Sequence, residues 1–255
     1  MAFDTTAQLT LFALIMMRMS GMILLNPIFG RRNIPMTAKS GFIIVLTLTL
    51  YSASAESAFE VASTLELGFL LMKEFVVGYV IGYTMELFFF AITFGGFVID
   101  FQLGLTMATV YDPQSNSQVA VTGGVLQTWF MLVFFATDAH LALMKILITS
   151  ADIVPYGGIV ITQGLASRMI EIFLQCVDLG VRLSLPILAA EFLVQVGIGI
   201  MNKVVPQISI FVINIQLKII VGLGLLVILF SPIGEHLNRI MTEMMKTVQG
   251  ILTFV

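Results

Sequence analysis

The chain has 255 residues, 58% hydrophobic and 11% charged, with 12 Lys and Arg against 15 Asp and Glu for a net charge of −3. A soluble domain carries about a quarter of its residues as charges, so this composition falls outside the globular range, and without a basic excess there is no footprint for nucleic acid. The single cysteine, Cys176, excludes an internal disulfide and a multi-cysteine metal site.

Residues 5 to 30 contain one charge, Arg18, and residues 113 to 137 and 219 to 234 contain none. Crossing hydrocarbon takes about 20 apolar residues in a helix. Runs such as "WFMLVFFA" do not alternate apolar and polar residues, which excludes a β-barrel. The expectation is an all-α, polytopic integral membrane protein with long kinked helices.

The first predicted span is Ala7 to Phe29, read as uncleaved because no basic region precedes its apolar stretch. "GRRNIPMTAK" follows, with Arg31, Arg32 and Lys39. The second span, Gly41 to Ala55, leads to an acidic segment, "ESAFEVASTLE". The positive-inside rule places the first loop in the cytoplasm and the N-terminus outside. Residues 67 to 105 form a long apolar region carrying Lys73, Glu74, Glu86 and Asp100. Its three acids recur every 12 to 14 residues, too closely to sit at span ends. Facing lipid, each would cost about 2.5 to 3.5 kcal/mol. Because few basic residues offer themselves as partners, the spacing is read as helices packed inside a larger assembly, in preference to internal salt bridges.

Next comes a polar run, "TMATVYDPQSNSQVAV", from Thr106 to Val121, between two nearly pure hydrocarbon stretches. Composition alone makes it a turn in water. Gly123 to Leu147 is apolar again, broken by "TDAHLALMK", and "DIVPYGG" is a turn. His140 beside Asp138 is read as a structural corner rather than a proton relay. Two long helices follow, about Ser167 to Met201 and Ile208 to Phe230, joined by "NKVVPQ" with Lys203, Pro206 and Gln207. Counting outward from that turn puts Glu191 level with Lys218 and Gln195 level with Asn214. Opposite charges and paired amides at matching depth are what a buried C-terminal helical hairpin needs. Pro186 is expected to kink its first helix, and the tail, 235–255, is amphipathic and suits an interface.

Gly78 and Gly82 have the spacing that lets helices approach closely, expected here to serve assembly with other chains. Asp178 and Arg182 form an i,i+4 pair. With no HExxH, P-loop or Ser-His-Asp order, neither an enzyme nor a metal or cofactor site has support.

At "NPIFGRRNIPMTAK", "FATDAHLALMKIL" and "VPQISIFVINIQLKIIVGL" the sequence resembles the FliR/SctT family, the export-gate subunits of type III secretion, over essentially the whole chain. "PIFGRRNIP" is more similar to the flagellar branch. Ser209 stands where the family usually has Asn, and Gln216 where it has Pro, which should straighten the last helix. The resemblance implies a bacterial inner-membrane subunit of the flagellar basal body. It would close a helical ring with several copies each of FliP and FliQ, with FlhB around the entrance and membrane lipid outside. Unfolded flagellar export substrates would pass through. It implies a FliP-like part over 1–160, a FliQ-like hairpin over 161–234 and the tail over 235–255. It also turns the loop 106–121 into a channel plug carrying Met107, Tyr111, Asp112, Pro113, Gln114 and Asn116. Met107 and Tyr111 would supply an apolar seal, and Gly104, Gly123 and Gly124 backbone freedom. The rival reading is a self-contained secondary transporter of a small solute, but the inverted repeats of such proteins are not found.

Overall fold

The computed structural model of the protein describes residues 5–53, 63–105, 110–112, 117–158, 163–204 and 210–254. At residues 5, 6 and 163, and over 110–112, 117–119 and 210–215, the backbone alone is described. Helices dominate. In chain order they are α1 (Thr5–Leu25), α2 (Met36–Ala53), α3 (Thr64–Leu103), α4 (Val121–Ala136), α5 (Ala139–Ile153), α6 (Gln163–Val204), α7 (Ile210–Ile228) and α8 (Phe230–Ile251). A short antiparallel ribbon, β1 (Val110–Asp112) with β2 (Ser117–Val119), interrupts them.

Four described helices are long and apolar enough to cross a membrane: Ala7–Leu25, Met36–Ala53, Thr64–Leu103 and Gly164–Val204. Two bent pairs, Val121–Ala136 with Ala139–Ile153 and Gln216–Ile228 with Phe230–Phe254, raise the number to as many as six. The protein is an all-α polytopic membrane protein. The apolar region 67–105 becomes one unbroken helix of 40 residues, about 60 Å long and twice the thickness of the hydrocarbon core. The 42-residue α6 runs through Pro186 without ending. α7 passes through Gln216 unbroken, as the absent proline allows.

The chain divides into two compact units. One holds residues 1–87, 137–173 and 243–255; the other holds 88–136 and 174–242. In the first unit, α1 and α3 touch backbone to backbone. A Cβ on Gly78 would meet the Arg18 carbonyl, one on Gly21 the Phe75 carbonyl, and one on Gly82 the Met22 carbonyl. The close approach at Gly78 and Gly82 is therefore made to a helix of the same chain. In the second unit, Gly95 faces Gly180 of α6 and Gly96 faces Gly123 of α4 in the same manner. Phe89 and Phe130 meet edge to face at 5.0 Å, and Trp129 stacks on Phe230 at 4.2 Å.

The amphipathic tail begins earlier than expected, at Phe230. Leu237, Ile240, Met241, Met244, Val248 and Ile251 make its apolar stripe, and all are buried within the protein. An interfacial helix would leave that stripe to lipid, so the stripe packs on protein instead.

Alanine at position 78 should cost about 1 to 3 kcal/mol of stability by overpacking. Alanine at Gly68, whose Cβ would meet nothing within 4 Å, should cost none. Thermal unfolding of the two variants of the full chain in detergent checks the contrast.

Candidate functional site

Three groups of polar residues among the described ones bear on the predicted site: a buried cluster in the first unit, the root of the ribbon, and the C-terminal hairpin.

The buried cluster centres on Arg18. Its Nε–H donates to Glu74 Oε2 at 2.6 Å, and both side chains are fully buried. The other guanidinium nitrogens donate to Ser150 Oγ at 3.2 Å and to the Val154 carbonyl at 3.0 Å. The guanidinium lies 4.3 Å from the centre of the Tyr156 ring. The second oxygen of Glu74 accepts the Gly157 N–H at 2.8 Å. Glu74 is thus satisfied within the chain, which corrects its reading as a residue turned toward an assembly. One internal cation, Arg18 on the first helix, suffices.

Asp100 is also satisfied inside the chain. It is fully buried in the last turn of α3, and its Oδ2 and Oδ1 accept the Thr122 N–H at 3.0 and 3.3 Å. Thr122 lies in the first turn of α4, where backbone N–H groups lack helical partners and the helix dipole favours an anion. Of the three regularly spaced acids, Glu86 is the exposed one.

These contacts frame the predicted plug. Gly104, at φ 75°, ends α3. The ribbon then pairs Val110 with Val119, Tyr111 with Gln118 and Asp112 with Ser117, giving a hairpin where a plain loop was expected. Met107, Pro113, Gln114 and Asn116 lie outside the described residues, and Tyr111 and Asp112 are described in backbone only. Gly123 was expected to lend freedom. It instead lies within α4, with its backbone against Gly96, because the missing Cβ serves close packing. Of the three glycines proposed for movement, Gly104 alone has a backbone conformation that L side chains rarely adopt.

In the hairpin, Glu191 is buried and neither carboxylate oxygen has a hydrogen-bond partner among the described residues. Lys218 is close enough to act on it by charge, but the two form no ion pair within 4 Å. Gln195 is exposed, and the Asn214 side chain lies outside the described residues. Lys203 is exposed in the last turn of α6, where a cation complements the dipole. Pro206 and Gln207 lie outside the described residues. Asp178 and Arg182 pair at 2.6 Å on the surface. Asp138 adopts a left-handed conformation at the break between α4 and α5, without a side-chain cap. Among the described residues, no group of three or more His, Cys, Asp or Glu could hold a metal.

The basic first loop has a local task as well. Arg31 Nε–H donates to the Pro27 carbonyl at 3.1 Å and Lys39 Nζ to the Gly30 carbonyl at 2.8 Å. These satisfy carbonyls just beyond the end of α1.

Sequence reasoning missed the Arg18–Glu74 pair and the Asp100 cap. A signal existed for each: a lone charge inside a span, and an acid near the end of a long apolar stretch. Neither identifies its partner.

The chain matches the family described as "Bacterial export proteins, family 1" over residues 9–244. It is 26% identical over 242 residues to flagellar biosynthetic protein FliR of Escherichia coli K12, covering 93% of this chain and 91% of that protein. Against the protein of that name from Bacillus subtilis 168, identity is 27% over 252 residues, 96% and 95% of the two chains. Against that of Pectobacterium carotovorum it is 30% over 246 residues, 92% and 90%.

Removing one partner of a buried ion pair leaves the other charge uncompensated. Glu74→Gln or Arg18→Leu alone should each lower stability by about 3 to 5 kcal/mol, and Arg18→Leu with Glu74→Leu should recover most of it. Detergent-solubilised chains compared by thermal unfolding decide this. A double variant as weak as the singles would refute direct coupling.

Proposed function

The chain belongs to the bacterial export proteins, family 1, as a component of a flagellar-type protein export apparatus, and we propose that it is a structural subunit of the export gate. It sits in the bacterial inner membrane at the base of the flagellum and closes a helical ring with several copies each of FliP and FliQ. FlhB wraps the entrance around the turn at Lys203, Pro206 and Gln207. Unfolded flagellar proteins pass through the ring, and the chain catalyses no reaction. The single observation that carries this is the extent of the similarity. Residues 9–244 take in α2 to α7 and the ribbon whole, with most of α1 and α8.

The surface supports the same role. Phe192, Leu193, Ile200 and Val204 on α6, and Ile220 and Val227 on α7, are each at least 62% exposed. Apolar area of that extent needs covering by lipid or by neighbouring helices. The segment 106–121 plugs the channel. Apart from Met107 and Tyr111, which supply the seal, its side chains are small or polar with Asp112 as the one charge, so its displacement carries no large desolvation cost. In the assembled hairpin Glu191 meets Lys218 and Gln195 meets Asn214, which provides the donor that Glu191 lacks.

Two experiments test these roles. Deleting residues 110–118 should make the inner membrane leak ions while the complex still forms. A tight membrane with normal assembly would reduce the segment to an ordinary turn. Reversing the charge of Glu191 or Lys218 alone should impair assembly, and reversing both should restore it. Failure of the double reversal would remove the pairing.

A further inference from the structure

In the second unit a cavity of about 140 Å³ lies between α6 and the start of α8. Leu183, Ile187 and Ile233 form its buried floor, and Arg182 and His236 supply its polar groups. The His236 ring hydrogen-bonds to the Leu179 backbone, while its Nε2 is buried with no partner among the described residues. A neutral imidazole has one donor and one acceptor nitrogen. With a ring N–H given to the Leu179 carbonyl, Nε2 is the acceptor and lacks a donor. Neither Pro186 nor Pro232, both at the cavity, has an N–H for the carbonyl four residues before it, that of Arg182 or Ile228. The charges acting on the ring are positive, Arg239 and Arg182. Arg182 Nε–H donates to Asp178 at 2.6 Å, which aims the guanidinium and leaves both Nη groups available. A water needs about 15 Å³ of such space and two to four polar partners, and this cavity has far more space than partners.

The cavity lies at the level of lipid headgroups. Arg182 precedes Lys203 by about 21 residues, or about 31 Å of helix, one hydrocarbon thickness. The one charge between them, Glu191, is buried. At the far end of α7 the chain bends by 64° into α8, and Trp129, the single tryptophan, stacks on Phe230 at that bend. Tryptophan favours the membrane–water interface. Leu193, Val196 and Ile200 share the Arg182 face of α6 and are exposed, an apolar track running from the cavity toward Lys203.

We propose that this cavity binds an anionic phospholipid with a hydroxylated headgroup. The phosphate sits on the Arg182 guanidinium, a headgroup hydroxyl donates to His236 Nε2, and an acyl chain follows the track on α6. Basic pockets between membrane helices recognise anionic headgroups in this way. The apolar floor and the track that continues it favour a lipid over a soluble phosphate ester. An acidic side chain from a partner helix would answer the arginine but set an acceptor against the acceptor Nε2. The site requires placement in a membrane and is independent of the gate role.

The test titrates the full chain in detergent with three dioleoyl lipids and counts bound lipid by native mass spectrometry. Phosphatidylglycerol carries a charge and hydroxyls, phosphatidylethanol the charge alone, and phosphatidylcholine no net charge. Phosphatidylglycerol should bind about fivefold more tightly than phosphatidylcholine, the worth of one arginine at a headgroup. Arg182→Gln should remove that preference, and Arg168→Gln, at an arginine paired elsewhere on α6, should keep it. His236→Phe should weaken phosphatidylglycerol about fivefold and leave phosphatidylethanol unchanged, a split that a merely structural role would not give. Equal binding of phosphatidylglycerol and phosphatidylcholine, or equal loss in the two arginine variants, would overturn the site. Equal loss of both anionic lipids in His236→Phe would overturn the hydroxyl contact. Competition by glycerol 3-phosphate at the lipid's own concentration would make a soluble ester the ligand and overturn the lipid. Phosphatidylglycerol bound to the chain but absent from the complex extracted from membranes would give the cavity to a partner helix, which also overturns it. If Arg182→Gln does not fold, the split between the two anionic lipids in His236→Phe decides alone.

Discussion

The first unit depends on one buried ion pair. Arg18 and Glu74 sit on α1 and α3, 56 residues apart, with no exposed surface on either side chain. Dehydrating two charges costs several kcal/mol each, and attraction between them repays this only when the remaining donors and acceptors are also satisfied. Here they find Ser150, the Val154 carbonyl, the Gly157 N–H and the face of Tyr156. One cluster therefore sets the register of α1 against α3 and ties both to the end of α5 and the turn beyond. The glycines make it possible: without backbone contact at Gly21 and Gly78, a side chain as short as Glu74 would not reach the guanidinium. Helix spacing and charge pairing are one constraint, since neither stands without the other.

Hydropathy made most of the helices legible, because 58% apolar composition admits few other arrangements. It did not make the buried pairs legible. Asp178 with Arg182 could be read from spacing alone, since residues four apart share a helix face. Arg18 with Glu74, and Asp100 with Thr122, are set by which helices cross and at what level, and a sequence without its contacts does not contain that. The three acids of α3 looked alike at 12 to 14 residue intervals yet divide by surroundings. One is paired with a cation, one caps a helix, and one faces outward.

Glycine shows the same ambiguity in a second form. A missing Cβ permits either unusual backbone angles or close helix contact, and composition does not separate the two. Gly104 uses the first property and Gly78, Gly96 and Gly123 the second. The two uses lie on either side of the ribbon, a positive φ at Gly104 where α3 ends and close packing at Gly123 in the first turn of α4.

The charge rule, combined with the helices, carries topology one step further. The loop holding Arg31 and Arg32 and the turn holding Lys203 lie on the same side only if an even number of crossings separates them. Between them are α2, α3, α4 with α5, and α6. The count is even if the broken pair α4 and α5 crosses as one span, and odd if it re-enters on the side it left. Asp138 breaks that pair with a left-handed residue, which costs little for an aspartate and puts a polar turn in the middle of the crossing. A polar turn at that depth is tolerated only against protein or a water-filled cavity. A crossing of α4 and α5 as one span would therefore go with shielding of Asp138 and His140 from lipid.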